Sequence, residues 1–117
     1  DRSTGKELQV YGDANLLTLA LINLIRNALQ AVEGQEDGIV RVDTCAGATG
    51  HLLIIITDNG PGIPPERLSA IFTPFFSTKS GGSGIGLPIS QRIMQLHGGQ
   101  LSVSSIPNVR TEFRMEF

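Results

Sequence analysis

The chain contains no tryptophan, one tyrosine and one cysteine, Cys45, among its 117 residues. A lone thiol excludes an internal disulfide framework and suits a reducing compartment. Long apolar runs are missing too. Leu16–Ile22, broken by Thr18, and Leu52–Ile56 fall far short of the roughly 20 residues a spanning helix needs. Asp1–Gln9 is polar but for Leu8, so no secretory leader is expected there, and a cytoplasmic location is. Basic runs are absent as well. Nine Lys and Arg stand against eleven Asp and Glu, a net charge of −2, which removes most of the case for nucleic acid held by its phosphates.

What remains is ordinary globular material with one local excess. The apolar fraction of 40% excludes disorder, and 117 residues leave room for a single core. Six of the 14 glycines (Gly60, Gly62, Gly81, Gly82, Gly84 and Gly86) and four of the six prolines fall within residues 60–86. Asp1 and Phe117 both read as cut edges, so a domain excised from a longer chain is expected, whether or not that parent is membrane-anchored.

The pattern predicts β-α-β-β-α-loop-α-β-β. Glu7–Gly12 reads as a short strand, and Asp13 as the N-cap of a helix over Ala14–Val32 that Gly34 ends. Ile39–Thr44 and Leu52–Thr57 read as strands of a hairpin. The second, Leu-Leu-Ile-Ile-Ile, has no polar face and is expected to be central and covered on both sides. A short helix should start at Pro64-Pro65-Glu66 and reach about Phe72. Another should run from about Gly86 to Leu96 and stop at His97-Gly98-Gly99, where His97 suits a helix end as a cation. Leu101–Ser105 and Thr111–Phe117 complete a hairpin turning at Pro107-Asn108. The fold class is therefore α+β: a two-layer sandwich of a mixed, mostly antiparallel sheet of about five strands, with about three helices on one face.

Four constellations carry chemistry. Asn23 and Asn27, four apart, project from one helix face beside Leu19, Leu24, Ala28 and Leu29. Such amides either bond neighbouring backbone or offer oxygen to a ligand or a hard cation such as magnesium. Asp58-Asn59-Gly60-Pro61-Gly62-Ile63 follows the apolar strand. It is either a plain turn or a carboxylate presented to a cleft, with Gly60 and Gly62 free to take positive φ. Phe72-Thr73-Pro74-Phe75-Phe76-Ser77-Thr78-Lys79 packs aromatic surface into an irregular segment that either anchors a loop or lies over a ligand. Gly81–Leu87 opens a helix with glycine-rich backbone, either a linker or an anion site.

In order and spacing these four resemble the ATP-binding catalytic domain of sensor histidine kinases, in the superfamily shared with gyrase, heat-shock chaperones and mismatch-repair ATPases. The likeness runs from Gly12-Asp13 to Phe117. Asn23-Leu-Ile-Arg-Asn27-Ala-Leu-Gln-Ala is similar to that family's asparagine box, and Asp58–Gly62 to its first glycine box. Phe72–Phe76 is similar to the phenylalanine box, and Gly82–Leu87 to the second glycine box. Asn-Ala-Leu-Gln-Ala with Pro-Phe-Phe-Ser-Thr-Lys resembles the nitrogen-regulator-like subgroup, where a lysine after the phenylalanines faces the phosphates. The fold so implied is the Bergerat-type ATP-binding sandwich.

The resemblance implies ATP and Mg2+ as cofactors. Asn27 becomes the magnesium ligand, and Asp58 the acceptor for the adenine amino group. Gly62 borders the adenine, with Gly60, Ile63 and Phe72 counted in the same binding set. Lys79 reaches the phosphates as a point charge. Gly84, Ile85, Gly86 and Leu87 hold phosphates through backbone amides, and Gly82 and Ser83 belong to that loop. Thr111 falls beside the adenine-contacting aspartate. The family's usual Gly-Thr is here Arg110-Thr111, so Arg110 either narrows the pocket or points outward.

Asn23 stands where the hydrolytic relatives carry a water-activating glutamate. An amide has no useful basicity, so transfer to a protein side chain is expected over hydrolysis, with Asn23, Asn27 and Lys79 as the catalytic set. His51 and His97 lack the acidic neighbour of the family's acceptor motif. A dimerising helical domain carrying the acceptor histidine is expected before Asp1, with a response regulator as the next partner. The fragment is expected to be monomeric, in a homodimeric parent. It should bind ATP without phosphorylating itself. The alternatives are a serine kinase of the anti-sigma type and a nucleotide-sensing module without transfer.

Overall fold

The computed structural model describes residues 12–47, 51–73 and 86–117. All but the last residue of the expected Glu7–Gly12 strand lies outside them, as do Lys79, Gly82, Ser83, Gly84 and Ile85. The described elements are α1 (Ala14–Ala31), β1 (Val40–Ala46), β2 (Leu52–Asp58), α2 (Pro65–Leu68), α3 (Gly86–Leu96), β3 (Gln100–Ile106) and β4 (Arg110–Glu116). Four strands form one sheet in the order β1-β2-β4-β3. Every described pairing is antiparallel.

Local chemistry sets the helix ends. Asp13 caps α1, its Oδ1 accepting from the N–H groups of Asn15 and Leu16 at 2.9 and 3.0 Å. Helix α1 ends at Ala31, and Gly34 takes φ +80° in the turn that follows. At the end of α3, Gly98 takes φ +75° and the Gly99 N–H returns to the Met94 carbonyl at 2.9 Å. Pro65 opens α2 as expected, but the α-helix stops at Leu68. The chain continues to Thr73 in tighter turns, with Ala70 N–H on Arg67 O and Thr73 N–H on Ala70 O.

The core lies between the sheet and the pair α1 and α3. Ala20, Leu24 and Ala28 of α1 meet Ile93 and Met94 of α3 over Ile56, Leu101, Phe113 and Met115 of the sheet. Buried Ser90 ties the two helices, donating to Ala20 O at 3.1 Å. Helix α1 carries more apolar residues than one face can bury. Thr18, Arg26, Gln30 and Glu33 are exposed as expected, but so are Leu19, Ile22 and Leu29.

Strand β2 is central, between β1 and β4. Among the described residues only one of its faces has a helical layer. Ile54 and Ile56 face the core, whereas Leu53 and Ile55 remain half-buried on the other side. There Asp43 and Arg114 flank Ile55, and Cys45 and Glu116 flank Leu53. No described helix is long and apolar enough to cross a membrane.

Candidate functional site

The sheet ends in a row of four residues. Register places Val40 against Asp58, Asp58 against Thr111, and Thr111 against Ser105. Asp58 is 2% exposed and Thr111 3%, so a carboxylate and a hydroxyl sit side by side at the rim of an apolar core. Asp58 is the last residue of β2, and its Oδ1 accepts the Gly60 N–H at 2.9 Å. A buried charge is tolerable only where such donors hold it.

The turn after Asp58 needs both glycines, for different reasons. Gly62 has φ +81°, and a Cβ there would lie 2.9 Å from Pro107 Cα and 3.1 Å from Ile106 O. Gly60 does not use the positive φ open to it. Its constraint is space, since a Cβ would stand 2.7 Å from Ala31 O at the end of α1. Between them in role is Asn59. Its Oδ1 accepts the Ile39 N–H at 2.7 Å, and its Nδ2 donates to Asp37 O at 2.8 Å. The Gln35 amide donates to Asn59 O at 2.9 Å. One side chain thus ties the α1–β1 connection to the aspartate turn. On the other side the Asn108 N–H donates to Pro61 O at 2.8 Å, and the Ile63 N–H to Ser105 Oγ at 2.8 Å.

The other described residues of the expected set fall around this turn or along the helix pair. Asn23 and Asn27 are half-buried on α1. The Asn23 amide donates to Gly86 O at 3.3 Å and so links α1 to the first residue of α3. Of the apolar neighbours named with them, Leu24 and Ala28 are in the core, whereas Leu19 and Leu29 face solvent. Ile63, Phe72 and Leu87 are partly buried and packed against the core. Arg110 points outward, its Nη1 3.7 Å from Glu112 on the sheet face away from the helices. It does not narrow the row.

His97 does more than end its helix. Its Nδ1 lies 2.8 Å from Ile93 O, and its Nε2 accepts the Asp13 N–H at 3.0 Å. His97 thus caps the end of α3 and joins it to the start of α1. Ser105 and Asn59 were not singled out from the sequence. Both matter through partners distant in the chain, Ile63 at a separation of 42 residues and Asp37 at 22.

An open hollow of about 670 Å³ lies beside the turn, lined among others by Glu33, Gln35, Asp37, Asn59 and Val109. It shares only Gly60 with the expected nucleotide set, so its walls are not those of the predicted site. No group of three His, Cys, Asp or Glu among the described residues is placed to hold a metal. The side chain of half-buried Asn27 carries an amide oxygen, a donor of the hard type that Mg2+ takes beside water and phosphate oxygens.

The antiparallel sheet, the Asp58–Thr111 pairing at its end and the helices α1 and α3 on one face make a two-layer α+β domain. Residues 12–117 match the Histidine kinase-, DNA gyrase B-, and HSP90-like ATPase family, and the chain belongs to it. Among its relatives, the sensor histidine kinase ZraS of Salmonella typhimurium is 42% identical over 98 residues. That match takes in 84% of this chain and 21% of the relative, so the chain spans about a fifth of the length of the curated protein. The mycobacterial sensor histidine kinase MprB superposes with a TM-score of 0.78 at 30% identity, over 92% of this chain and 76% of that one. Full-length ShkA in complex with AMPPNP gives 0.81 at 29% identity, over 94% of this chain and 23% of that one.

Proposed function

We propose that this domain binds ATP with Mg2+ and presents the γ-phosphoryl group to a histidine on a separate helical dimerisation domain, in two-component signalling. The observation that carries the reading is the Asp58–Thr111 pair, buried at the sheet end and fixed by Gly60 and the Gly62 turn. A fixed acceptor in a low-dielectric rim suits the exocyclic amine of adenine and disfavours the oxygen of guanine. The AMPPNP complex of a relative supports an adenine nucleotide as ligand.

In this reading Asp58 accepts from the adenine amine while Gly62, Ile63 and Phe72 wall the base. Asn27 offers its amide oxygen to the metal. Lys79 and the backbone from Gly82 to Leu87 hold the phosphates, and the α3 N-terminus adds its dipole. Bound magnesium supplies charge neutralisation across the phosphates. Asn23 contributes by what it cannot do: an amide donating to Gly86 O does not take a proton from water. The incoming nucleophile is then an imidazole nitrogen of the acceptor histidine. A bond forms from that nitrogen to the γ-phosphorus as the bond to the β–γ bridging oxygen breaks, and ADP leaves. A response regulator is the onward acceptor, and the parent is a homodimer at the membrane or in the cytoplasm.

Two measurements test this. Calorimetry of the chain should show Mg-ATP binding that Asn27→Ala weakens far more than it weakens metal-free ATP. Equal losses for both forms would remove Asn27 from the metal. The second concerns transfer. The chain alone with labelled ATP should neither label itself nor release phosphate, because His51 and His97 lack the acceptor context. Adding the parent's histidine-bearing helical domain in trans should give acid-labile, base-stable label on that domain. Acid-stable label on another protein would point to serine transfer, and steady phosphate release to hydrolysis.

A further inference from the structure

Ser105 touches both sides of the proposed base site through one atom. It lies near the end of β3, half-buried, in the row that runs from Val40 through Asp58 and Thr111. Its Oγ accepts the Ile63 N–H at 2.8 Å, stands 3.1 Å from Thr111 Oγ1 and donates toward Arg110 O at 3.2 Å. Ile63 belongs to the aspartate turn. Thr111 is the register partner of Asp58. The two are brought to a common point by this hydroxyl.

Proton counting gives the contact a consequence. A hydroxyl has one proton and two lone pairs, and the Ile63 N–H occupies one lone pair. Where the Ser105 proton goes to Arg110 O, the Thr111 proton must point at Ser105, and Thr111 offers the site lone pairs. Where the Ser105 proton goes to Thr111, the Thr111 proton turns away from Ser105. Either way, whether Thr111 donates or accepts beside Asp58 depends on Ser105. Sterics reinforce the geometry. A Cβ on Gly62 would lie 3.0 Å from Ser105 Oγ, so the turn leans directly on the β3–β4 hairpin.

We infer that Ser105 is a specificity-determining positioning residue: it fixes the Ile63 backbone and orients the Thr111 hydroxyl at the adenine end of the site without contacting nucleotide. This rests on the ATP-binding reading above. Backbone contacts hold the turn and the hairpin together, and Ser105 is the side chain that links Ile63 and Thr111.

The test is calorimetry of the chain with ATP, ADP, adenosine and GTP. Ser105→Ala should weaken ATP, ADP and adenosine by the same factor, roughly tenfold for two coupled neutral hydrogen bonds. The preference for ATP over GTP should shrink, and the Mg2+ dependence should not change. Ser105→Thr, which keeps the hydroxyl, should return affinity to within about twofold of the parent on the same scale. The Ile63 amide should exchange faster in Ser105→Ala than in Ser105→Thr. Unchanged affinities and selectivity in Ser105→Ala overturn the inference, even where its melting temperature falls. A loss confined to ATP and ADP, sparing adenosine, overturns it equally by moving the effect to the phosphates. Ser105→Cys, similar in size with a weaker hydrogen bond, is read identically where the alanine variant does not fold. Failure of the parent chain to bind any adenine nucleotide would instead sink the ATP reading itself.

Discussion

Exchanging Asp58 for asparagine should weaken ATP binding by about 2–4 kcal/mol, roughly thirty- to several-hundredfold, and at least cancel the preference over GTP. The change is isosteric, so packing at this 2% exposed position is preserved. The Gly60 N–H already holds Oδ1, which fixes how the new amide must lie: its oxygen stays on Gly60 and its NH2 replaces the other carboxylate oxygen. An NH2 group there meets the adenine amine donor to donor, leaving both unsatisfied in a buried setting. Toward guanine the same group faces an acceptor. Competition calorimetry with ATP and GTP reads both effects, and an unchanged ATP-to-GTP ratio would contradict the role of Asp58.

The second large effect is on stability. Phe113 is 1% exposed, and register sets it between Ile56 of β2 and Val103 of β3. It is two residues from Thr111 on the same sheet face, so it forms part of the floor beneath the site. Phe113→Ala removes a large buried ring under α1 and α3 and should cost about 3–5 kcal/mol. Domains of this size have in total only about 5–15 kcal/mol. Urea unfolding should show a much lower midpoint at unchanged slope. Saturating Mg-ATP should return part of the loss, about 2.7 kcal/mol at a hundred times Kd, because ligand binds only the folded form. A cost under about 1 kcal/mol would mean that Phe113 is not packed in that layer.

How much of the site could be read from the chain depends on the range of each interaction. Asp58 and Gly62 were legible because strand end, acid and glycine are consecutive. Thr111 was found through family likeness, and the register sets it opposite Asp58. Ser105 carried no signal, since a serine in an alternating strand looks like any solvent-facing residue. Asn59 looked like an ordinary turn residue, yet its amide closes the α1–β1 connection. His97 was legible as a helix-end residue, but its second contact was not: the Asp13 N–H, 84 residues away, donates to its Nε2. Gly60 is similar: positive φ is a local option, whereas its actual constraint is the approach of Ala31 O.

By itself the sequence determined the kind and order of the described elements and most of their ends, though not where α2 stops. Periodicity, the Asp13 cap, Pro65 and the glycines act over a few bonds and hold in any tertiary setting. It also determined the hairpins, because strands joined by short turns have few other ways to pair. Only the tertiary structure decided which apolar side chains of α1 are core and which are surface. An 18-residue helix offers apolar residues all round, and the position of α3 and the sheet selects Ala20, Leu24 and Ala28 over Leu19, Ile22 and Leu29. It likewise decided that Asp58, Thr111 and Ser105 form one row. That depends on the register of β2, β4 and β3, which is set by burying one face of each strand together.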